Sequence, residues 1–186
     1  MTDLNSTLSI LRRAMKGERI GYNFYMEAAK RSADPAGAGT FRSLATAEED
    51  HLRLIFVEHQ SLSAGEGWVD PDEAMAREVE VDITKPLPWE EAEPPKTPFA
   101  ETWAAYEVEA MAGDLAALEF GMDMEKKFYD MYKEAAAQTD DPLARRAYDF
   151  LLKEENKHYK ILRDAYDYLS DNKHWWDDWE KPFFEG

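Results

Sequence analysis

The sequence predicts an all-α protein: a four-helix bundle made of two pseudo-symmetric helix hairpins, with a long crossover between helices 2 and 3. Three observations lead there. Four segments repeat apolar residues at spacings of three and four, the pattern of a helix with one buried face. A shift of 107 residues lays the first two segments on the last two without a gap. Between the pairs lies a stretch too rich in proline for regular helix.

The first helix is expected over about 6–31, where Leu8, Leu11, Met15, Tyr22, Tyr25 and Ala29 recur on one side. Asp34-Pro35 breaks the pattern, and a second helix follows over about 39–62 with Phe41, Leu44, Ala45, Leu52 and Ile55 for its inner face. The glycines of "SAGEG" close it. Residues 63–113 form the crossover, in which "PLPWEEAEPPKTP" carries five prolines while "PDEAMARE" and "FAETWAAYEVEA" could each form a short helix. Two stacked hairpins make helices 2 and 3 parallel, so the connection must run the bundle's length. A helix of about 24 residues is roughly 36 Å long, and about 11 extended residues would cover it, leaving material for a dimer contact.

Asp114 is the expected N-cap of a third helix over about 114–139. Asp141-Pro142 then opens a fourth, over about 142–169, with Tyr148, Leu151, Leu152, Tyr159, Leu162 and Tyr166 along it. The bundle therefore takes residues 1–170 and leaves 171–186 as an aromatic, acidic tail, "HWWDDWEKPFFEG" at its heart. Exposed tryptophans promote association, so the tail is expected to dock on the bundle or on a partner subunit.

Composition removes several classes of function. Lys+Arg 22 against Asp+Glu 39 gives a net charge of −17, which repels phosphate backbones and excludes nucleic acid as a partner. The absence of cysteine removes disulfides, thiolate zinc sites and cysteine-ligated iron–sulfur centres. No apolar run reaches membrane-span length, and the N-terminus lacks a basic start followed by an apolar stretch, so a cytoplasmic protein is expected.

The repeat carries the chemistry. It lays Glu18 on Glu125, Tyr22 on Tyr129, Tyr25 on Tyr132, Asp34-Pro35 on Asp141-Pro142, Glu48 on Glu155 and His51 on His158. Residues three apart share a helix face, so Glu48 with His51, and Glu155 with His158, point at one place. Glu18 and Glu125 come from the neighbouring helices. Four glutamates and two histidines on the axis of a bundle are the donor set of di-iron and di-manganese carboxylate proteins. Doubled carboxylates can bridge two divalent cations, and oxygen-rich donors with two imidazoles suit iron or manganese. Two iron ions are the expected cofactor, with manganese as the other metal the set suits. Without cations, four buried carboxylates would repel one another.

Tyr25 and Tyr132, two turns beyond Glu18 and Glu125, are read either as core aromatics or as hydrogen-bond donors to the opposing carboxylates. Tyr22 and Tyr129 are expected in the core. His59 and His174 have no histidine mate and are assigned to packing or surface, and Glu49, Asp50 and Glu154, without acidic mates, to solvent.

Through "GERIGYNFYMEAA…LATAEEDH" and "MEKKFYDMYKEAA…LLKEENKH", the chain resembles the rubrerythrin branch of the ferritin-like superfamily over about 6–62 and 114–169. The resemblance implies that Glu18, Glu48, His51, Glu125, Glu155 and His158 bind the metals, with Glu48 and Glu155 bridging and the four glutamates forming the catalytic set. It implies a di-iron oxidoreductase that reduces peroxide or dioxygen with electrons from an external donor protein, as a homodimer or higher homo-oligomer. Ferrous iron oxidation for storage or delivery, and a metal-free scaffold, are the competing readings. Two departures stand out. The family's full members carry a four-cysteine rubredoxin domain, absent from this cysteine-free chain, and an additional ligand glutamate where this sequence has Phe128.

Overall fold

Three Asp-Pro pairs set the helix starts. Asp34, Asp70 and Asp141 are N-caps, their carboxylates accepting from the backbone N–H of Ala36, of Asp72, and of Leu143 and Ala144 respectively. Each is followed by proline, which suits the first helical position because its missing N–H has no intrahelical partner there. The computed structural model describes residues 4–87, 89 and 113–176. It has α1 (Leu4–Arg31), α2 (Pro35–Ser63), the short α3 (Pro71–Ala76), α4 (Asp114–Gln138) and α5 (Pro142–Asn172), with no strand among the described residues.

Two expectations shift. The second helix begins at Pro35 rather than near residue 39, because Asp34-Pro35 starts a helix rather than only ending one. The third helix is capped by Gly113, at φ 93°, and not by Asp114. That positive φ favours glycine. The Asp114 carboxylate is used elsewhere, accepting from Ser32 Oγ at 2.8 Å and from Trp175 Nε1 at 2.5 Å.

α1 packs along α2 and α4 along α5, giving the two hairpins; α1 and α4 touch across the bundle, and α3 covers α2 and α5. Leu11, Met15, Phe41, Leu44, Leu52, Ile55, Leu118, Met124, Leu151 and Leu162 fill the interior. Expected inner residues Leu8, Tyr22, Leu152, Tyr159 and Tyr166 are only half-buried. Glu58 is also buried; its Oε2 accepts from Val69 N at 2.9 Å and thereby pins the start of the crossover to α2.

After α5 the chain turns at Lys173, the one non-glycine residue with positive φ among those described, and lays Trp175 and Trp176 on the bundle. Trp175 sits edge-on to Phe41, ring centroids 6.1 Å apart. A Cβ on Gly37 would stand 2.6 Å from the Trp175 ring, so only glycine lets the indole in. The other hairpin has a matching pair: Trp68 sits edge-on to Tyr148 at 5.4 Å. Trp68 and Phe41 lie 107 residues before Trp175 and Tyr148, so the repeat extends past α2 and α5 into the segments that follow them. "FAETWAAYEVEA", most of the proline-rich run and residues 177–186 lie outside the described residues.

Candidate metal centre

Each long helix carries one fully buried glutamate to the bundle axis: Glu18 from α1, Glu48 from α2, Glu125 from α4 and Glu155 from α5, all 0% exposed. His51 and His158, one turn after Glu48 and Glu155, are 2% exposed. The close approach of Glu48 to α1 depends on Gly21, where a Cβ would stand 3.3 Å from the Glu48 carboxyl carbon.

One donor atom each from Glu48, His51, Glu155 and His158 lies within 4.8 Å of all the others. Glu18 and Glu125 join through the imidazoles: His51 Nδ1 is 3.4 Å from Glu18 Oε2, and His158 Nδ1 is 3.5 Å from Glu125 Oε2. Glu48 faces both halves, with Oε2 3.6 Å from His51 Nδ1 and Oε1 3.5 Å from His158 Nδ1. Glu155 Oε1 is 3.3 Å from His51 Nδ1. The imidazoles stack, centroids 5.2 Å apart.

The tyrosines complete the arrangement. Tyr25 OH donates to Glu125 Oε1 and Tyr132 OH to Glu18 Oε1, each from the opposite hairpin. Each terminal glutamate thus has one oxygen held by a phenol and the other turned toward an imidazole nitrogen. Tyr22 and Tyr129 are half-buried rather than core. At 3.6 residues per turn, a residue seven positions on returns to within about 20° of Glu18, whereas one four positions on lies about 40° off. That difference is why the later tyrosine of each pair points inward. His59 is a packing residue, stacked on Trp89 and accepting from Arg12 Nε at 3.1 Å, while His174 is exposed. Glu49 and Asp50 are half-buried and pair with Arg53. Phe128 fills its position apolarly, buried against α1, where a Cβ on Gly17 would stand 2.7 Å from its ring.

The donor atoms lack partners of their own. Glu18 Oε2, both oxygens of Glu48 and Glu155, Glu125 Oε2, and Nδ1 of His51 and His158 are buried without a hydrogen bond. Buried polar atoms are normally paired, and so many orphans converging on one point make a group that could hold cations. Electrostatics agree. Burial, reinforced by Glu48, raises the Glu18 carboxyl to about 8. Burial and the Glu18 and Glu125 charges push Glu155 well above the usual range. Burial opposes charge on the imidazoles, but Glu155 and Glu18 outweigh it at His51, and Glu125 and Glu48 raise His158 to about 9. Glu48 moves the other way: burial would raise it, yet the neighbouring Glu18 carboxyl and the two imidazoles hold it low. Glu18, Glu155, His51 and His158 are thus all shifted toward their protonated forms. A cavity of about 510 Å³ between α2 and α5, lined by Ala36, Gly39, Ser43, Leu44 and Trp176, opens against His158.

Fold and site together define a four-helix carboxylate bundle with a buried Glu/His group able to bind metal. The sequence model of one family, Rubrerythrin, matches residues 9–166, and the chain belongs to that family. Neither the curated proteins nor the solved structures yield a match. No described helix is long and apolar enough to cross a membrane.

Proposed function

We propose that Glu18, Glu48, His51, Glu125, Glu155 and His158 hold two iron ions, and that the protein is a rubrerythrin-type oxidoreductase reducing peroxide or dioxygen with electrons from an external donor protein. The observation that carries this reading is the set of orphaned donor atoms. Two divalent cations would neutralise four carboxylates and give every unpartnered oxygen and Nδ1 a ligand role. Manganese suits the same donors.

Glu18 with His51, and Glu125 with His158, would each serve one ion. Glu48, whose oxygens face the two imidazoles separately, would bridge, with Glu155 as the second bridging carboxylate. Bound iron supplies one-electron redox chemistry and a Lewis-acidic position for an oxygen atom of the oxidant. The chain does the rest. Tyr25 and Tyr132 fix the terminal carboxylates and can pass a proton to Glu125 Oε1 or Glu18 Oε1. Leu44, Leu52, Ile55, Phe128 and Leu162, all buried in the core, would keep bulk water from the centre, and the cavity at His158 would admit a small oxidant. We place the protein in the cytoplasm, as a homodimer or higher homo-oligomer.

Ferrous iron oxidation for storage or delivery is the second reading, favoured by the net charge of −17, which concentrates cations near the surface. The test is anaerobic loading with ferrous iron, followed by separate additions of peroxide and dioxygen and then a reductant, read by absorbance. Rapid repeated turnover of peroxide supports the first reading. A single oxidation with iron retained as mineral, or a cage-sized particle by light scattering, supports the second.

A further inference from the structure

A chain of aromatic rings leads out of the centre. Tyr25, which donates to Glu125 Oε1, stacks on Phe41 with centroids 6.4 Å apart. Phe41 meets Trp175 at 6.1 Å, Trp175 meets Trp176 at 5.1 Å, and Trp176 meets Tyr168 at 5.8 Å. All are direct ring contacts. Tyr25 and Phe41 are fully buried, the two tryptophans nearly so, and Tyr168 is half-buried beside the exposed His174. The path therefore runs from the bundle axis to the outer end of α5.

Packing explains rings in contact. It does not explain why the two oxidisable rings on either side of Phe41 both donate to carboxylates: Tyr25 OH to Glu125 and Trp175 Nε1 to Asp114 Oδ2, the latter at 2.5 Å. A phenol or indole becomes strongly acidic when it loses an electron, so a carboxylate at hydrogen-bond distance can take the proton as the electron leaves. In the other hairpin Trp68 and Tyr148 form the equivalent ring pair, but among the described residues no ring contact joins Tyr148 to Tyr132. Among the described residues, only the first hairpin has a connected path.

We propose that Tyr168, Trp176, Trp175 and Tyr25, with the Phe41 ring bridging the last two, carry single electrons from an external one-electron donor, docking at the outer end of α5, to the metal centre. The proposal rests on reading the cluster as an iron site. With iron bound, Tyr25 would give one electron to the oxidised centre and its phenolic proton to Glu125 Oε1. Trp175 returns one electron to Tyr25 across the Phe41 ring; Tyr25 recovers its proton from Glu125, and the Trp175 Nε1 proton moves to Asp114. Trp176 and Tyr168 pass one electron from the donor to Trp175, and Asp114 returns the proton. The donor is oxidised by one electron, the centre reduced by one, and the chain gains or loses no proton.

The absence of cysteine makes the test site-specific. In the full chain, Asp171→Cys on the exposed side of α5 takes a ruthenium polypyridyl photo-oxidant, and flash oxidation is followed by transient absorption and electron paramagnetic resonance. Without iron, a tyrosyl radical is expected on Tyr25, identified by its loss in Tyr25→Phe. Trp175→Phe should lower its yield about tenfold or more, while the matched change Trp68→Phe leaves it intact. Asp114→Asn, which keeps the indole in place but cannot take the proton, should slow the step and abolish its solvent deuterium effect. With ferrous iron, metal oxidation should replace the Tyr25 signal and be slowed by the same substitutions. No radical on Tyr25, an unchanged yield in Trp175→Phe, or equal losses in Trp175→Phe and Trp68→Phe overturns the path. Success without iron but no metal binding leaves the path standing and overturns the iron reading instead.

Discussion

The two hairpins agree at every residue of the buried glutamate, histidine and tyrosine cluster and differ in what surrounds it. Glu18, Tyr25, Glu48 and His51 have identical mates in Glu125, Tyr132, Glu155 and His158. One step outward the match becomes partial. Phe41 corresponds to Tyr148, Gly37 to Ala144, Gly21 to Phe128, and buried Glu58 to Ala165. The surroundings have diverged because each hairpin meets a different segment. The first receives Trp175 and the second receives Trp68.

Metal stoichiometry breaks this comparison most sharply. Glu48→Ala removes the one carboxylate whose oxygens face both imidazoles, so it should abolish binding of both ions. Glu18→Ala and Glu125→Ala should each weaken one ion and leave the other, seen as a stoichiometry near one per chain in ferrous titration. Glu48→Ala together with Glu155→Ala should bind none.

Next in size is the pH dependence of the metal-free protein. Glu18, His51 and His158 have raised pKa values when folded, so the folded chain holds protons the unfolded chain has released. Their stabilising contribution is complete at low pH and is lost as pH rises through about 8 and about 9. Thermal melts should therefore fall with rising pH in the metal-free protein and stay flat in the loaded one.

The outer asymmetry is tested by Gly37→Ala against Ala144→Gly. A methyl at Gly37 would meet Ser32 Oγ at 2.5 Å and the Trp175 ring at 2.6 Å. It should cost roughly 3 kcal/mol, the upper end of overpacking, and displace the tail. Ala144→Gly should cost about 1 kcal/mol, through helix propensity, without affecting Trp68. Tyr25→Phe and Tyr132→Phe should each cost about 1–2 kcal/mol by orphaning a buried carboxylate oxygen. Near-equal values are expected if the two halves of the centre are equivalent. The smallest effect is Glu49→Ala, whose pairing with Arg53 is solvent-exposed; urea denaturation should change by less than about 0.5 kcal/mol.

Much of the bundle is legible in the sequence because the repeat doubles each signal. A lone Glu-x-x-His is weak, but Glu48/His51 and Glu155/His158 in common register, each thirty residues after a repeated glutamate, mark one place. Even the start of α2 is there to be read, since Asp34-Pro35 aligns with the helix-opening Asp141-Pro142. Asp114 misleads because an N-cap preference is local, whereas its carboxylate is recruited by Ser32 and by Trp175, far away in sequence. Glu58 gives no signal, because burial of a single unrepeated carboxylate depends on how the crossover folds back at Val69. The Trp68/Trp175 correspondence obeys the same 107-residue shift, but lies in irregular segments where periodicity has no purchase.

The central claim is that six side chains from four helices make one two-metal site. Crystals grown with iron and measured at the iron absorption edge test it most directly. Two anomalous peaks are expected on the bundle axis, one beside Glu18 and His51, the other beside Glu125 and His158, with Glu48 between them. A single peak, or none within reach of both histidines, would contradict it.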